Sequence, residues 1–213
     1  MKILLLAPVL LLSTVTGCAQ NKVTGQIGGP CEGCEAIFEC PVPFNQLNWM
    51  DTLPDFKDAG RKMVITGIVY EADGKTPARN VVLYIYHTDQ TGVYATKGNE
   101  KGWAKRHGYI RGWIRTGEDG RYAFYTLKPA AYPKERIPAH VHPVLKEADK
   151  TPYFIDEYLF DDDPLLTAEE RRKQPLYGGS GIVQLSSKDG LLIANRDIFL
   201  GLHIPNYPNK KGL

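Results

Sequence analysis

Val81-Val82-Leu83-Tyr84-Ile85-Tyr86-His87-Thr88 decides the architecture of this chain. The stretch is dense in β-branched and aromatic residues, which suit a pleated, packed surface. Successive side chains of a strand leave opposite faces. Here both sets are apolar, so neither face suits water and the strand belongs in the middle of a covered sheet. Outward from it, further strands are predicted at 63–71, 109–116, 122–126, 139–146, 153–160, 181–186 and 197–202. Asp73-Gly74 and Asp119-Gly120 mark turns between them. About eight or nine short strands at this spacing predict an all-β fold, a β-sandwich.

One short helix is signalled. Thr167-Ala168-Glu169-Glu170 fits a capping box, and Pro175 closes the segment. Asp161-Asp162-Asp163 before it reads as an exposed turn, with calcium binding the alternative. Residues 1–17 begin with Lys2 and an apolar run too short to span a bilayer permanently, which reads as a secretory signal. Val15-Thr16-Gly17-Cys18 resembles a bacterial lipobox, so Cys18 is the expected lipidation site and the localisation the cell envelope, with the lipid as membrane partner. Residues 18–60 then form a tether and an irregular segment, and 61–213 the sandwich. Cys31, Cys34 and Cys40 remain after lipidation, and an oxidising compartment predicts one local disulfide with the pairing open.

The chain has 213 residues, 43% hydrophobic and 23% charged, as one globular domain does. Without residues 1–17 its formal charge is +1, from 25 basic and 24 acidic side chains. Such balance offers no electrostatic footprint for nucleic acid.

Chemistry concentrates in Gly92-Val93-Tyr94, Ala131-Tyr132-Pro133 and Ala139-His140-Val141-His142. His140 and His142 are one residue apart, so in a strand both imidazoles leave one face. Phenolate oxygens with imidazole nitrogens make a hard, anionic donor set that suits ferric iron better than zinc, copper or calcium. The ordinary alternative for each is packing, since 12 tyrosines are present and most edge a core.

At these residues the sequence resembles the intradiol ring-cleavage dioxygenases, ferric enzymes that open catechols between the hydroxyl-bearing carbons. The likeness runs through Thr66-Gly67-Ile68-Val69, Asp89-Gln90-Thr91-Gly92-Val93-Tyr94 and Arg111-Gly112-Trp113-Ile114-Arg115-Thr116. It continues in Asp119-Gly120-Arg121-Tyr122-Ala123-Phe124, Lys128-Pro129-Ala130-Ala131-Tyr132-Pro133 and Pro138-Ala139-His140-Val141-His142. The resemblance implies Tyr94, Tyr132, His140 and His142 as ligands of Fe3+. It implies a catechol-type substrate with O2, and Tyr132 leaving the metal to take a proton from the diol.

Three departures are visible. Ile137 stands where the family has arginine, so Arg136, Arg111 or Arg115 would have to replace it, Arg136 being the nearest in sequence. Glu157 stands where the family uses glutamine, and the Tyr132–His140 interval is short. His107 is a possible pocket residue; His87 and His203 read as satisfied or surface histidines, and Trp103 and Trp113 as packing anchors. Two other classes remain: a non-catalytic surface lipoprotein with a transthyretin-like sandwich, and a copper or zinc carrier using the histidines and cysteines. The oligomeric state stays open.

Overall fold

The computed structural model describes residues 25–208. The signal at 1–17 and the lipidation site Cys18 lie outside the described residues. Two six-stranded sheets make the body. The first runs β1 (Met50–Thr52), β5 (Arg121–Leu127), β2 (Lys62–Tyr70), β11 (Leu191–Asn195) and β10 (Leu185–Lys188), with β12 (Ile198–Phe199) also on β2. The second runs β4 (Arg111–Arg115), β3 (Val82–His87), β6 (His140–Lys146), β8 (Tyr158–Phe160) and β9 (Ile182–Val183), with β7 (Tyr153–Phe154) also on β6.

β3 is central and buried on both faces, for the reason its composition gives. Leu83 and Ile85 enter the core between the sheets, against Met63, Ile65, Phe124, Val141 and Leu145. Val82 and Tyr84 point the other way, into a second cluster with Trp113, Val144, Cys34, Ala36 and Ile37. The covering layer on that outer face is the N-terminal segment. Its 3-10 turn Cys34–Glu39 lies there, and Ile37 O accepts a hydrogen bond from Trp113 Nε1 at 2.9 Å.

The all-β sandwich is as expected, but the described residues hold twelve strands rather than eight or nine. The stretch 153–160 divides because Asp156 accepts hydrogen bonds from Leu176 N and Tyr177 N, which pulls its middle away from the ladder. The stretch 181–186 divides because the chain leaves the second sheet after Val183 and joins the first at Leu185. β11 was overlooked although Asp189-Gly190, both at positive φ, form a two-residue hairpin turn before it. β1 escaped notice because three residues carry no periodicity. It pairs parallel with β5 inside the segment expected to be irregular.

The helix α2 (Ala168–Lys173) is present, with Thr167 Oγ1 accepting from Glu170 N at 3.2 Å. A second short helix, α1 (Ala104–His107), carries no cap and was not predicted. Cys31 and Cys34 form the disulfide, leaving Cys40 as a free thiol. Near the start of the described chain, Gly28 N donates to Pro205 O at 2.8 Å, so residues expected to tether the domain dock on its C-terminal loop.

Candidate metal centre

The four candidate ligands meet at one point on the outer face of the second sheet. β6 sends Val141 and Leu145 into the core, so His140 and His142 emerge on the opposite face. The Tyr94 Oη lies 2.7 Å from His142 Nε2 and 2.5 Å from Tyr132 Oη. Tyr132 Oη is 3.1 Å from His140 Nε2, and the two Nε2 atoms are 3.1 Å apart.

The tyrosines arrive on two loops that are locked together. Asp89 Oδ1 accepts from Thr91 N at 2.7 Å and Val93 N at 3.1 Å, closing a tight turn that delivers Tyr94. Thr88 Oγ1 donates to Ala130 O at 2.7 Å, and Ala130 N to Asp89 O at 3.2 Å, which ties in the loop bearing Tyr132. Gly92 is obligatory here. Its φ is +78°, and a Cβ would stand 2.0 Å from Ala131 O.

Each imidazole is held by its far nitrogen. His140 Nδ1 donates to Pro138 O at 2.7 Å, and His142 Nδ1 to Glu157 Oε1 at 2.8 Å. With Nδ1–H engaged, Nε2 carries the lone pair on both rings. Two lone pairs facing each other at 3.1 Å beside two phenols suit a cation between them, so the donor set fits a hard trivalent metal. Glu157 also lies near His140 and His142 in a cluster that could hold an ion, within 4.8 Å. Its oxygen sits at Nδ1 of His142, on the far side of the ring from the phenols, so Glu157 orients the ligand rather than joining the set.

Burial decides the protonation. It pushes the Tyr94 phenol far above the usual range, and the bond with Tyr132 adds to this. Burial likewise raises Tyr132, against a smaller lowering by Tyr94, and the Glu157 charge raises it further. Burial holds His140 below the ordinary histidine range. Burial pushes the Glu157 carboxyl up, but its bond from His142 outweighs this and leaves it low. The protein alone therefore presents neutral phenols and, at His140, a neutral imidazole; a cation must supply the charge that ionises the tyrosines.

Arg136 lies on the exposed stretch 133–137 and makes no hydrogen bond or ion pair among the described residues. Arg111 pairs with Glu39 at 2.6 Å and lies over the Trp113 ring. Arg115 bonds Asn80. His87 is buried and satisfied, Nε2 against Thr126 Oγ1 at 2.7 Å.

His107 is buried behind the site. Its ring stacks on Tyr86 at 3.7 Å, and Tyr86 stacks on His142 at 4.5 Å. Tyr86 was overlooked, although β3 pairs it with His142 in register. Asp163, expected in an exposed turn, accepts from Ala139 N at 2.8 Å and so fixes the start of β6. Both cysteines nearest the site are oxidised to a disulfide and offer no thiolate to a metal.

Comparison with known proteins agrees with this geometry. A family model described as Dioxygenase matches residues 45–174. The protocatechuate 3,4-dioxygenase beta chain of Burkholderia cepacia is 28% identical over 127 residues, 57% of this chain and 52% of that protein. Catechol 1,2-dioxygenase 1 of Acinetobacter lwoffii is 31% identical over 133 residues, 55% of this chain and 41% of that protein. The chain thus spans about half the length of these relatives. Among solved structures, the dioxygenase domain of a Streptomyces dioxygenase–carbohydrate-binding fusion superposes with a TM-score of 0.54 at 19% identity. That match covers 75% of this chain and 94% of the other, and it shows a shared fold. With the family model spanning more than half its length and the tyrosines and histidines of that resemblance gathered at one point, this chain belongs to the intradiol ring-cleavage dioxygenase family.

Proposed function

We propose that the protein cleaves a catechol-like aromatic diol with O2, using Fe3+ held by Tyr94, Tyr132, His140 and His142. The observation that carries this reading is the convergence of two hydroxyls and two Nε2 atoms at 2.5–3.1 Å, with both Nδ1 atoms engaged elsewhere. Ferric iron bound there would ionise the phenols and draw the diol's oxygens to itself. The chain's residues do the rest. Tyr132 is half-buried on its loop and bonds only Tyr94 and His140 of the set, so its Oη accepts the proton of one substrate hydroxyl. Tyr94 and the two strand histidines keep their positions because their loop and strand are tied. Tyr86 stacks on His142 and shields one side of that ring from water.

The overall change is balanced. The bond between the two hydroxyl-bearing carbons breaks, each carbon takes one atom of O2, and a muconate-type dicarboxylate leaves. Arg136 has no role that this arrangement supplies, and Arg111 is committed to Glu39. For location we propose a lipid on Cys18 in the bacterial envelope, a reading supported by the sequence and consistent with a disulfide-permissive compartment. Palmitate labelling lost in Cys18→Ser supports it; labelling that persists overturns it.

Two measurements test the activity. Protein loaded with ferric iron is expected to be burgundy from tyrosinate-to-iron charge transfer and to consume one O2 per catechol. A colourless sample with full iron content overturns the assignment.

A further inference from the structure

The loops that carry the two tyrosines leave strands of different sheets. Tyr94 follows β3, in the second sheet, and Tyr132 follows β5, in the first. No backbone ladder joins β3 to β5 among the described residues, so strand register does not set the gap between their ends. Apolar packing draws the sheets together without direction, whereas a hydrogen bond fixes a distance and an angle.

A buried polar chain crosses the gap at this end. His87 Nδ1 donates to Thr88 O at 2.7 Å, and its Nε2 lies 2.7 Å from Thr126 Oγ1. That oxygen lies 2.9 and 3.0 Å from the two carboxyl oxygens of Asp55, and Leu127 N donates to Asp55 Oδ2 at 3.2 Å. All three side chains are buried, His87 and Thr126 completely. A carbonyl only accepts, so Nδ1 carries its hydrogen. The Thr126 hydroxyl then has one hydrogen for two neighbours. One further proton therefore lies within the linked set, which is neutral as a whole, as burial favours.

Each end of the chain holds a ligand loop. Thr88 is fixed at its carbonyl by His87, and its hydroxyl donates to Ala130 O in the Tyr132 loop. Thr126 and Leu127 close β5 just before that loop, and both are bonded to Asp55.

We propose that His87 and Thr126 are positioning residues for the metal centre, their cross-sheet bond setting the separation at which Tyr94 and Tyr132 are delivered. The consequence for iron rests on the dioxygenase reading; the geometry does not. Neither side chain is hydrogen-bonded to any of the four ligands, so both act through the loops. Without the bond the two strand ends can part, and the 2.5 Å approach of the phenols is lost.

Two pairs of variants separate the bond from the volume it fills. Thr126→Val keeps the size and loses the hydroxyl, whereas Thr126→Ser keeps the hydroxyl and loses a methyl. His87→Gln places an amide N–H near the position of Nε2, whereas His87→Asn reaches only as far as Nδ1. The first readout is hydrogen exchange of the iron-free full chain. Asp89, Gly92 and Ala130 donate their amides within and between the two loops. In Thr126→Val and His87→Asn these amides should exchange about tenfold faster or more, relative to those of β11. In Thr126→Ser and His87→Gln the change should stay below about threefold. The second readout is titration with ferric iron, followed by tyrosinate absorption, where only the valine and asparagine variants should lose about tenfold or more in affinity.

Loop exchange that rises no more than that of β11, or serine and glutamine variants as damaged as their counterparts, overturns the inference. If one of Thr126→Val and His87→Asn does not fold, the other decides; failure of both to fold gives the bond a global role and overturns it too. Unmodified protein that binds iron without colour overturns the dioxygenase reading, while the exchange result still decides this one.

Discussion

At the scale of single residues, the centre works because each donor has been relieved of every other task. His140 and His142 spend Nδ1–H on Pro138 O and Glu157, leaving Nε2 for the metal. Truncating one of them removes a ligand from a preformed set, and His142→Ala is expected to lower turnover by at least a hundredfold with the fold retained, at a stability cost of about 1–3 kcal/mol because Tyr86 and Glu157 lose their partner. Tyr132→Phe should abolish turnover while Tyr94 keeps the iron coloured. Steady-state oxygen uptake with parallel chemical denaturation checks both; ring opening retained in both variants refutes the assignment.

The proton balance also belongs at this scale. Burial holds both phenols above the usual tyrosine range, so each arrives protonated and must lose its proton to bind iron. His140 is held below its ordinary range and brings none. Loading should therefore release about two protons per ion, and affinity should rise with pH by up to about a hundredfold per unit. A pH-stat titration measures the release. No proton release on loading contradicts phenolate ligation.

At the scale of elements, the decisive unit is the pair of loops after β3 and β5. Their carbonyl and hydroxyl exchanges place Tyr94 and Tyr132 together, and Gly92 allows the backbones to approach. Gly92→Ala adds a left-handed φ costing about 1–2 kcal/mol and a Cβ against Ala131 O. Iron affinity is expected to fall at least tenfold with the sheets intact, seen as unchanged far-ultraviolet circular dichroism beside reduced metal content. Full iron occupancy in that variant would show that the loops adjust freely. The strand pair β3 and β6 contributes the other half, since its register stacks Tyr86 on His142.

At the scale of the whole molecule, the N-terminal segment acts as a third layer. Ile37 is fully buried against Tyr84, Trp113 and Val144, on the same face that carries the histidines. The layer also brings Pro30 to Gly33 to the wall of a cavity along His142. Ile37→Ala should cost about 2–4 kcal/mol by leaving a void in this satellite core. Hydrogen exchange is expected to quicken in Trp113 and Val144 before the core between the sheets. Equal loosening of both cores would show that the layer is not a separate packing unit.

The two-sided apolar pattern of β3 and the His-x-His of β6 were legible in sequence because a strand's side chains alternate with period two. That alternation alone set the sandwich, the central strand and the shared face of His140 and His142. The capping box at Thr167 was equally local and equally readable. What local pattern could not reach was distance across the chain: which cysteines join, that Glu157 faces His142, that Tyr86 packs between His142 and His107, and that Asp163 anchors β6. Those depend on strand register and loop closure, which arise when separated segments bury apolar surface together, and so only the tertiary structure decided them.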